Sequence, residues 1–410
     1  MSSWMRMVVG IVAFVVVGAA EAVACTSAVV SGRATPDGRP LLWKQRDTET
    51  MPNALAGFQG ERFRFVGVVN ADSSSTEQVW MGANEAGLAL MNTASYNMDY
   101  EPAWEGSTER AGVLMMRALG TCATAAEFER LLDETDGARE TESNFGVIDA
   151  TGAAAYYEAH PYAWVKFDAT DPLVAPDGTL IRTNFSATGA GDRGYGFIRH
   201  ETAHDHFVWR MAMAGSITAD FLVLEAARSL RHSLLGTDLW RGPLPRDAGD
   251  RTIINFNDYV ARYHTVSAMV VEGVRPGEDA SLTTLWTVLG CPLTTPVFPV
   301  WVDGDADLPA VLRGGAGGES PLNRASLDLK PRLWPLGKGS GHNYLDLAAL
   351  INAAGTGILQ RVLAEDRRTL AETRPLLDAW RGEGTRDARA ARRLQARIAE
   401  RLMDFYEGAD

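Results

Sequence analysis

Residues 22–47 read A-V-A-C-T-S-A-V-V-S-G-R-A-T-P-D-G-R-P-L-L-W-K-Q-R-D. Cys25 stands at the start of an apolar, β-branched run, 26–30, that suits a strand. Thr35-Pro36-Asp37-Gly38-Arg39-Pro40 has turn chemistry, because Pro presets one dihedral and Gly after Asp permits positive φ. The run 41–45 is the expected hairpin partner; it ends in Lys44 and Gln45 and is followed by Arg46 and Asp47. Cleavage after Ala24 would leave Cys25 with a thiol and a free amine on one residue, a nucleophile and a base together.

The residues before Cys25 fit the plan of a secretory signal peptide over 1–24. Arg6 is the positive start, 7–17 is apolar apart from Gly10, and Ala22-Val23-Ala24 offers small residues for cutting. The apolar part is shorter than the ~20 residues a membrane span needs. A secreted or periplasmic location is therefore expected, with no membrane span. A rival reading makes Cys25 the acylated cysteine of a lipoprotein, although Ala22 replaces the aliphatic residue usual three places earlier. A diacylated thiol is no nucleophile, so the two readings exclude each other.

The 410-residue chain is acidic, with a formal net charge of -13 and an isoelectric point near 5.1. Bulk charge thus argues against nucleic acid or anionic membrane as partner. A hydrophobic content of 46% with 22% charged residues describes a globular chain. Three cysteines, Cys25, Cys122 and Cys291, do not make a disulfide framework, and the last two read as buried apolar thiols. His200-Glu201-Thr202-Ala203-His204 spells H-E-x-x-H, which on a helix presents two zinc ligands and a base. No third ligand is announced downstream, and an exposed polar helix surface is the plainer reading.

Further along, strands are expected at 62–69, 77–81 and 88–92, with a turn at Asn84-Glu85-Ala86-Gly87. Helices are expected at 111–118 and 123–132, the second capped by Thr124 with Glu127 completing a capping box. Strand pairs follow at 144–149 with 153–158 and at 265–271 with 282–288, and a short strand at 179–183. The stretch 217–229 reads as helix, and 386–405 carries Ala390, Leu394, Ile398, Leu402 and Phe405 at helical spacing. Hairpins and paired helices without regular strand–helix alternation indicate an α+β fold with antiparallel sheets. The expected organisation is a main domain over 25–344 and a helical extension over 345–410.

Several of these stretches resemble one family. Cys25-Thr26-Ser27 and the strand ending W-K-Q-R-D are similar to N-terminal-nucleophile amide hydrolases, in the branch of choloylglycine hydrolases, penicillin V acylases and isopenicillin N acyltransferase-like proteins. The opening C-T-S-A-V-V-S-G-R-A-T-P-D-G also resembles N-terminal-cysteine dipeptidases. M-G-A-N-E-A-G-L-A-L-M-N at 81–92 and T-N-F-S at 183–186 match later family segments. The resemblance covers most of 25–190.

It implies a four-layer αββα sandwich and a cofactor-free, metal-free enzyme cleaving linear amide bonds of a small-molecule substrate. By position Cys25 attacks the carbonyl, and its α-amine, titrating at about 7.7–8.0, shuttles the proton. Asp47 matches the aspartate that holds the amine. Lys44 stands where choloylglycine hydrolases carry arginine, and Arg46 is the substitute if the register slips. Strict alternation puts Lys44 and Asp47 on opposite faces unless the strand ends or bulges there. Asn92 and Asn184 match two amide-bearing positions, and Arg251 is the candidate for a late site arginine. Trp43, Trp80, Trp104 and Trp164 are candidates for an acyl pocket, with packing as the plainer role. Hydrolase, dipeptidase and acyltransferase chemistry stay open at this point, as does homo-oligomerisation.

Overall fold

The computed structural model describes residues 24–71, 78–106, 108, 110–303, 308–314 and 318–408. Apart from Ala24, the expected signal peptide lies outside the described residues.

The chain forms β1 (Thr26–Val30), β2 (Leu41–Asp47), β3 (Asn53–Gln59), β4 (Arg64–Asn70), β5 (Met81–Asn84) and β6 (Ala89–Ala94). Helices α1 (Ala111–Thr121) and α2 (Ala125–Glu134) follow, then β7 (Ser143–Ile148), β8 (Ala154–His160), β9 (Ala163–Asp168) and β10 (Thr179–Arg182). Next come α3 (Phe197–Ala214), the short α4 (Ala219–Phe221), the two-residue strands β11 (Arg231–His232) and β12 (Thr237–Asp238), and β13 (Ile253–Asn255). The remainder is β14 (Thr265–Glu272), β15 (Thr284–Leu289), β16 (Phe298–Val300), α5 (Pro321–Leu333), β17 (Tyr344–Asp346), α6 (Leu347–Leu350), α7 (Ile358–Glu383) and α8 (Ala388–Glu407).

Two antiparallel sheets carry the fold. The first runs β10-β1-β2-β14-β15-β16 and the second runs β3 to β9 in chain order. They stack face to face, with β1 and β2 over β6, β7 and β8. At Gly146 of β7 the approach is tight: a Cβ there would lie 3.1 Å from Val29 and 3.2 Å from Leu42 of the facing sheet. Helices α1 and α2 cover the outer face of the second sheet, where Met115 and Phe128 pack with Leu90, Phe145 and Tyr157. On the outer face of the first sheet, Trp43 of β2 stacks on Phe207 of α3 with ring centroids 6.1 Å apart. Helices α7 and α8 share that core through Leu377, Trp380, Leu394 and Ile398. The architecture is α+β in four layers, helix–sheet–sheet–helix, as the sequence resemblance implied.

Strand β2 is buried along its whole length although it ends L-W-K-Q-R-D. A central strand covered on both faces must satisfy such groups internally. Leu42, Lys44 and Arg46 turn toward the second sheet, while Trp43 and Gln45 turn toward the helices; the Gln45 amide donates to the Ala227 carbonyl at 2.9 Å.

The Thr124 cap forms as expected, its hydroxyl accepting from the Glu127 amide at 3.2 Å, but the reciprocal half of the box does not: the Glu127 carboxylate accepts from the Ala123 amide and not from that of Thr124. Several expectations shift. The strand placed at 77–81 begins outside the described residues and is found at Met81–Asn84. The helix placed at 217–229 is only α4 followed by one π-type turn, Leu222–Ala226. Strand β3, N-A-L-A-G-F-Q, was not expected: its Ala and Gly residues have weak strand preference, and pairing along β4 overrides it. Strand β9 was also unannounced; it is an edge strand, half exposed, whose pattern gives little signal.

Candidate active site

Cys25 immediately precedes β1 and is 5% exposed. The alternation of β1 sets what surrounds it. Ser27 turns into the inter-sheet space, where its hydroxyl lies 2.8 Å from the Tyr156 hydroxyl of β8. Ser27 also pairs with Lys44 across the β1–β2 ladder. Cys25, two residues earlier on the same face, therefore looks into the space that Lys44 and Arg46 enter from β2.

Four elements converge there. The Lys44 ammonium donates to the Asn92 side-chain carbonyl of β6 at 2.9 Å and to the Trp80 backbone carbonyl at 2.8 Å. That pairing turns the Asn92 amide nitrogen away from Lys44; its nearest acceptor is the Ser143 hydroxyl at 3.5 Å, the limit of a hydrogen bond. Asn184, just beyond β10, accepts from the Cys25 backbone nitrogen at 2.6 Å and donates to the Ala94 carbonyl at 2.9 Å. Arg199 reaches in from α3 and donates to the Cys25 carbonyl at 2.7 Å, the Thr26 hydroxyl at 2.8 Å and the Asn184 carbonyl oxygen at 3.2 Å.

Arg199 is buried, and a glycine makes room for it. Gly196, at φ +84°, precedes α3, and a Cβ there would lie 2.2 Å from a guanidinium nitrogen of Arg199. The left-handed backbone and the close approach both demand glycine.

Asp47 is the last residue of β2. Opposite it β14 carries one extra residue, Val266, between the partners Thr265 and Ser267. Strand β2 itself ends here without a bulge of its own; the extra residue belongs to β14. Asp47 accepts from the Thr265 hydroxyl at 2.6 Å and from Arg262 Nε at 2.8 Å. Its charge reaches both Lys44 and Arg199.

Burial pushes the Lys44 ammonium down to about 8; the Cys25 and Asp47 charges pull it back up, and Arg46 adds to the lowering. Arg199 falls to about 10, through burial first and then the Arg262 charge.

The Lys44 shift gives a stability prediction with a definite sign. Below about 8 the lysine is charged in both folded and unfolded chains, and its desolvation cost is fully present. From there to its ordinary 10.5 the unfolded chain holds the extra proton, so this residue's contribution improves as pH rises. Denaturant unfolding of wild type and Lys44→Met at about pH 7 and about pH 9.5 is expected to move the difference toward wild type by about 2 kcal/mol. A difference that stays constant contradicts the assignment of a buried ammonium.

The positions expected from sequence are distributed as follows. Cys25, Lys44, Asn92 and Asn184 lie around one buried space, whereas Asp47 bonds Thr265 and Arg262, and the nitrogen of Cys25 bonds Asn184 and not Asp47. Asn184 therefore offers Cys25 its oxygen, with its amide nitrogen on Ala94. Arg251 does not join them. It is half exposed ahead of β13, with Nε 3.7 Å from Asp346, on a small ribbon where β13 pairs β17. The apolar residues after it marked a strand but not the strand's place on the surface.

The arginines that do stand at the cluster are Arg199 and Arg262. No spacing announces Arg199; its role depends on α3 lying across the start of β1. Arg262 is the third residue before β14, visible only once β14 is seen to pair with β2. Arg46 bonds Asn70 at 2.5 Å, and its guanidinium sits 4.7 Å from the Trp80 ring centroid. Of the four tryptophans, Trp80 borders the cluster, Trp43 is core, Trp104 packs on Tyr162 and Trp164 bonds Asp133.

His200 and His204 lie one turn apart on α3, but His200 Nδ1 is 3.0 Å from its neighbour Glu201, and His204 is exposed. Among the described residues no group of three or more His, Cys, Asp or Glu is placed to hold a metal ion. Cys25, Cys122 and Cys291 are all unpaired and buried. No helix of the described residues is long and apolar enough to cross a membrane.

No protein-family model matches the chain, and no curated protein matches it. Solved structures similar to it include an N-acylethanolamine-hydrolyzing acid amidase ortholog from Caenorhabditis elegans (14% identity, 60% of this chain and 92% of that one, TM-score 0.39). Others are a single-residue variant of a conjugated bile acid hydrolase from Clostridium perfringens (14%, 68% and 92%, 0.41) and penicillin V acylase from Agrobacterium tumefaciens (14%, 68% and 86%, 0.35). Their names agree with the branch the sequence resembles. At these identities and scores they add no weight to the geometry, which rests on this chain's own residues.

Proposed function

We propose that the protein is an exported amide hydrolase of the N-terminal-nucleophile type, with Cys25 as nucleophile once residues 1–24 are removed. The observation that carries this reading is the buried meeting of the Cys25 main chain with Asn184 and Arg199, beside the Lys44–Asn92 pair. Removal of the leader turns the Cys25 peptide nitrogen, now bonded to Asn184, into an amine on the same atom. That amine takes the thiol proton as Sγ attacks the substrate carbonyl. The Asn92 amide, oriented by Lys44, donates to the oxyanion that forms. The C–N bond then breaks, the leaving amine takes the proton from the α-ammonium, and a thioester remains on Cys25. Water adds next: the α-amine receives its proton and returns it to the departing thiolate, releasing the acid.

Burial supports this reading over the lipid-anchored one. A thiol enclosed by two sheets has no room for acyl chains without leaving the cluster. Dipeptidase or acyltransferase action would use the same thioester and differ in the amide offered or in the amine that replaces water.

The test is the intact mass of the purified protein before and after a thiol-alkylating reagent, with peptide mapping of the adduct. The expected result is a chain beginning at Cys25, with one adduct on Cys25 and amide cleavage lost in step. Lipid on Cys25, or a chain beginning beyond it, overturns the reading.

A further inference from the structure

Lys330, in the last turn of α5, is a buried lysine that this mechanism does not use. It is 3% exposed. Among the described residues its one hydrogen-bonding partner is the Met51 thioether, 3.7 Å from Nζ, a weak acceptor. Two rings face it as well: Nζ lies 4.6 Å from the Tyr263 ring centroid and 5.8 Å from that of Trp334. An ammonium kept from water without a hydrogen-bonded carboxylate is costly, and ring faces offset only part of that cost. An apolar side chain would serve packing better at such a place.

The position of this cation relates it to the cluster around Cys25. Met51 belongs to the crossover that carries the chain from Asp47 into β3. Tyr263 follows Arg262, the partner of Asp47. The two segments are tied together by the Thr48 amide, which donates to the His264 carbonyl at 2.9 Å. Met51, Tyr263 and His264 are all half-buried, so this wall is partly open to solvent. Helix α5 is fixed behind it, since the Asn323 side chain accepts from the Asn53 amide at 3.2 Å. Cys291 and, after it, the Asp47 charge act on Lys330 as well.

We propose that Lys330 anchors an anion subsite beside the Cys25 cluster and receives a carboxylate carried by the substrate. The carboxylate displaces the Met51 thioether and lies against Tyr263. This inference rests on the amide-hydrolase reading for its substrate, and the subsite prefers amides bearing a carboxylate over neutral ones. The carboxylate has two sources, the amine part or the acyl part of the amide.

The experiment compares wild type, Lys330→Met and Lys330→Gln on three anilide or amino-acid amides. These are an N-acylglycine, with carboxylate on the amine side, a glutaryl anilide, with carboxylate on the acyl side, and a neutral acyl anilide. The expected result is a loss of about 30-fold in kcat/KM on one of the two carboxylate substrates, as when a charged hydrogen-bond partner is removed, and under about 3-fold on the neutral one. Which of the two is affected identifies the source. Equal loss on all three, or no loss on any, overturns the subsite.

A wild type inert toward all three overturns the amidase reading. In that event calorimetric titration with N-acylglycine and glutaryl anilide decides the subsite separately. Binding weakened about tenfold or more in the variants sustains it, and equal affinity overturns it.

Discussion

Replacing Cys25 with alanine is expected to lower amide cleavage roughly ten-thousand-fold or more while leaving the fold intact. The proposed mechanism has one nucleophile. Cys122 lies under α1 and α2 with Met115 and Phe128, and Cys291 lies with Leu293 and Leu333. Neither thiol is positioned to take over. Alanine removes a single sulfur from a site held by main-chain contacts: the Cys25 nitrogen on Asn184 and the Cys25 carbonyl on Arg199. Those contacts survive, so denaturant unfolding is expected to shift by no more than about 1 kcal/mol. Steady-state kinetics with unfolding curves on the same preparation check this. Activity within about tenfold of wild type would remove Cys25 from the reaction.

The second large effect is expected at Asn92. Loss of one preorganised oxyanion donor typically costs about a hundred- to a thousand-fold in kcat, so Asn92→Ala is expected in that range with KM changed only a few-fold. The geometry favours this role because Lys44 occupies the Asn92 oxygen and leaves the nitrogen with only a 3.5 Å approach to Ser143. Ser143→Ala serves as the control. It removes that weak contact, so kcat is expected to fall by less than about fivefold. If Asn92→Ala raises KM and spares kcat, Asn92 binds the ground state and is not the oxyanion donor.

Much of the fold could be read locally. The hairpins at β1–β2, β7–β8 and β14–β15 follow from β-branched runs joined by turn residues, and the start of α2 follows from the Thr124 cap. Elements escaped where the chain carries no periodic signal. Strand β3 is held by its pairing with β4, and β9 by being the half-exposed last strand of its sheet. Each of these depends on a partner, and a partner is not a local property.

The site divides in the same way. Cys25 and Asn92 were legible because each sits in a distinctive short stretch, C-T-S and N-E-A-G-L-A-L-M-N, whose residue types suit a nucleophile and an amide donor. The alternation of β2 also put Lys44 and Asp47 on opposite faces unless the strand ended or bulged there; β2 ends at Asp47, and the bulge opposite it, at Val266, belongs to β14. The sequence alone had no means to prefer Arg199 or Arg262 over Arg251, because an arginine carries the same charge wherever it stands. Stacking α3 across β1 and pairing β14 with β2 puts two arginines, 174 residues from Cys25 in one case and 215 from Asp47 in the other, within hydrogen-bond reach. The same layering leaves Arg251 on a surface ribbon and encloses Lys330 among rings. Residue type and local pattern determined what chemistry to expect of the chain; burial and distance, which only the packed layers create, decided which charges gather beside Cys25.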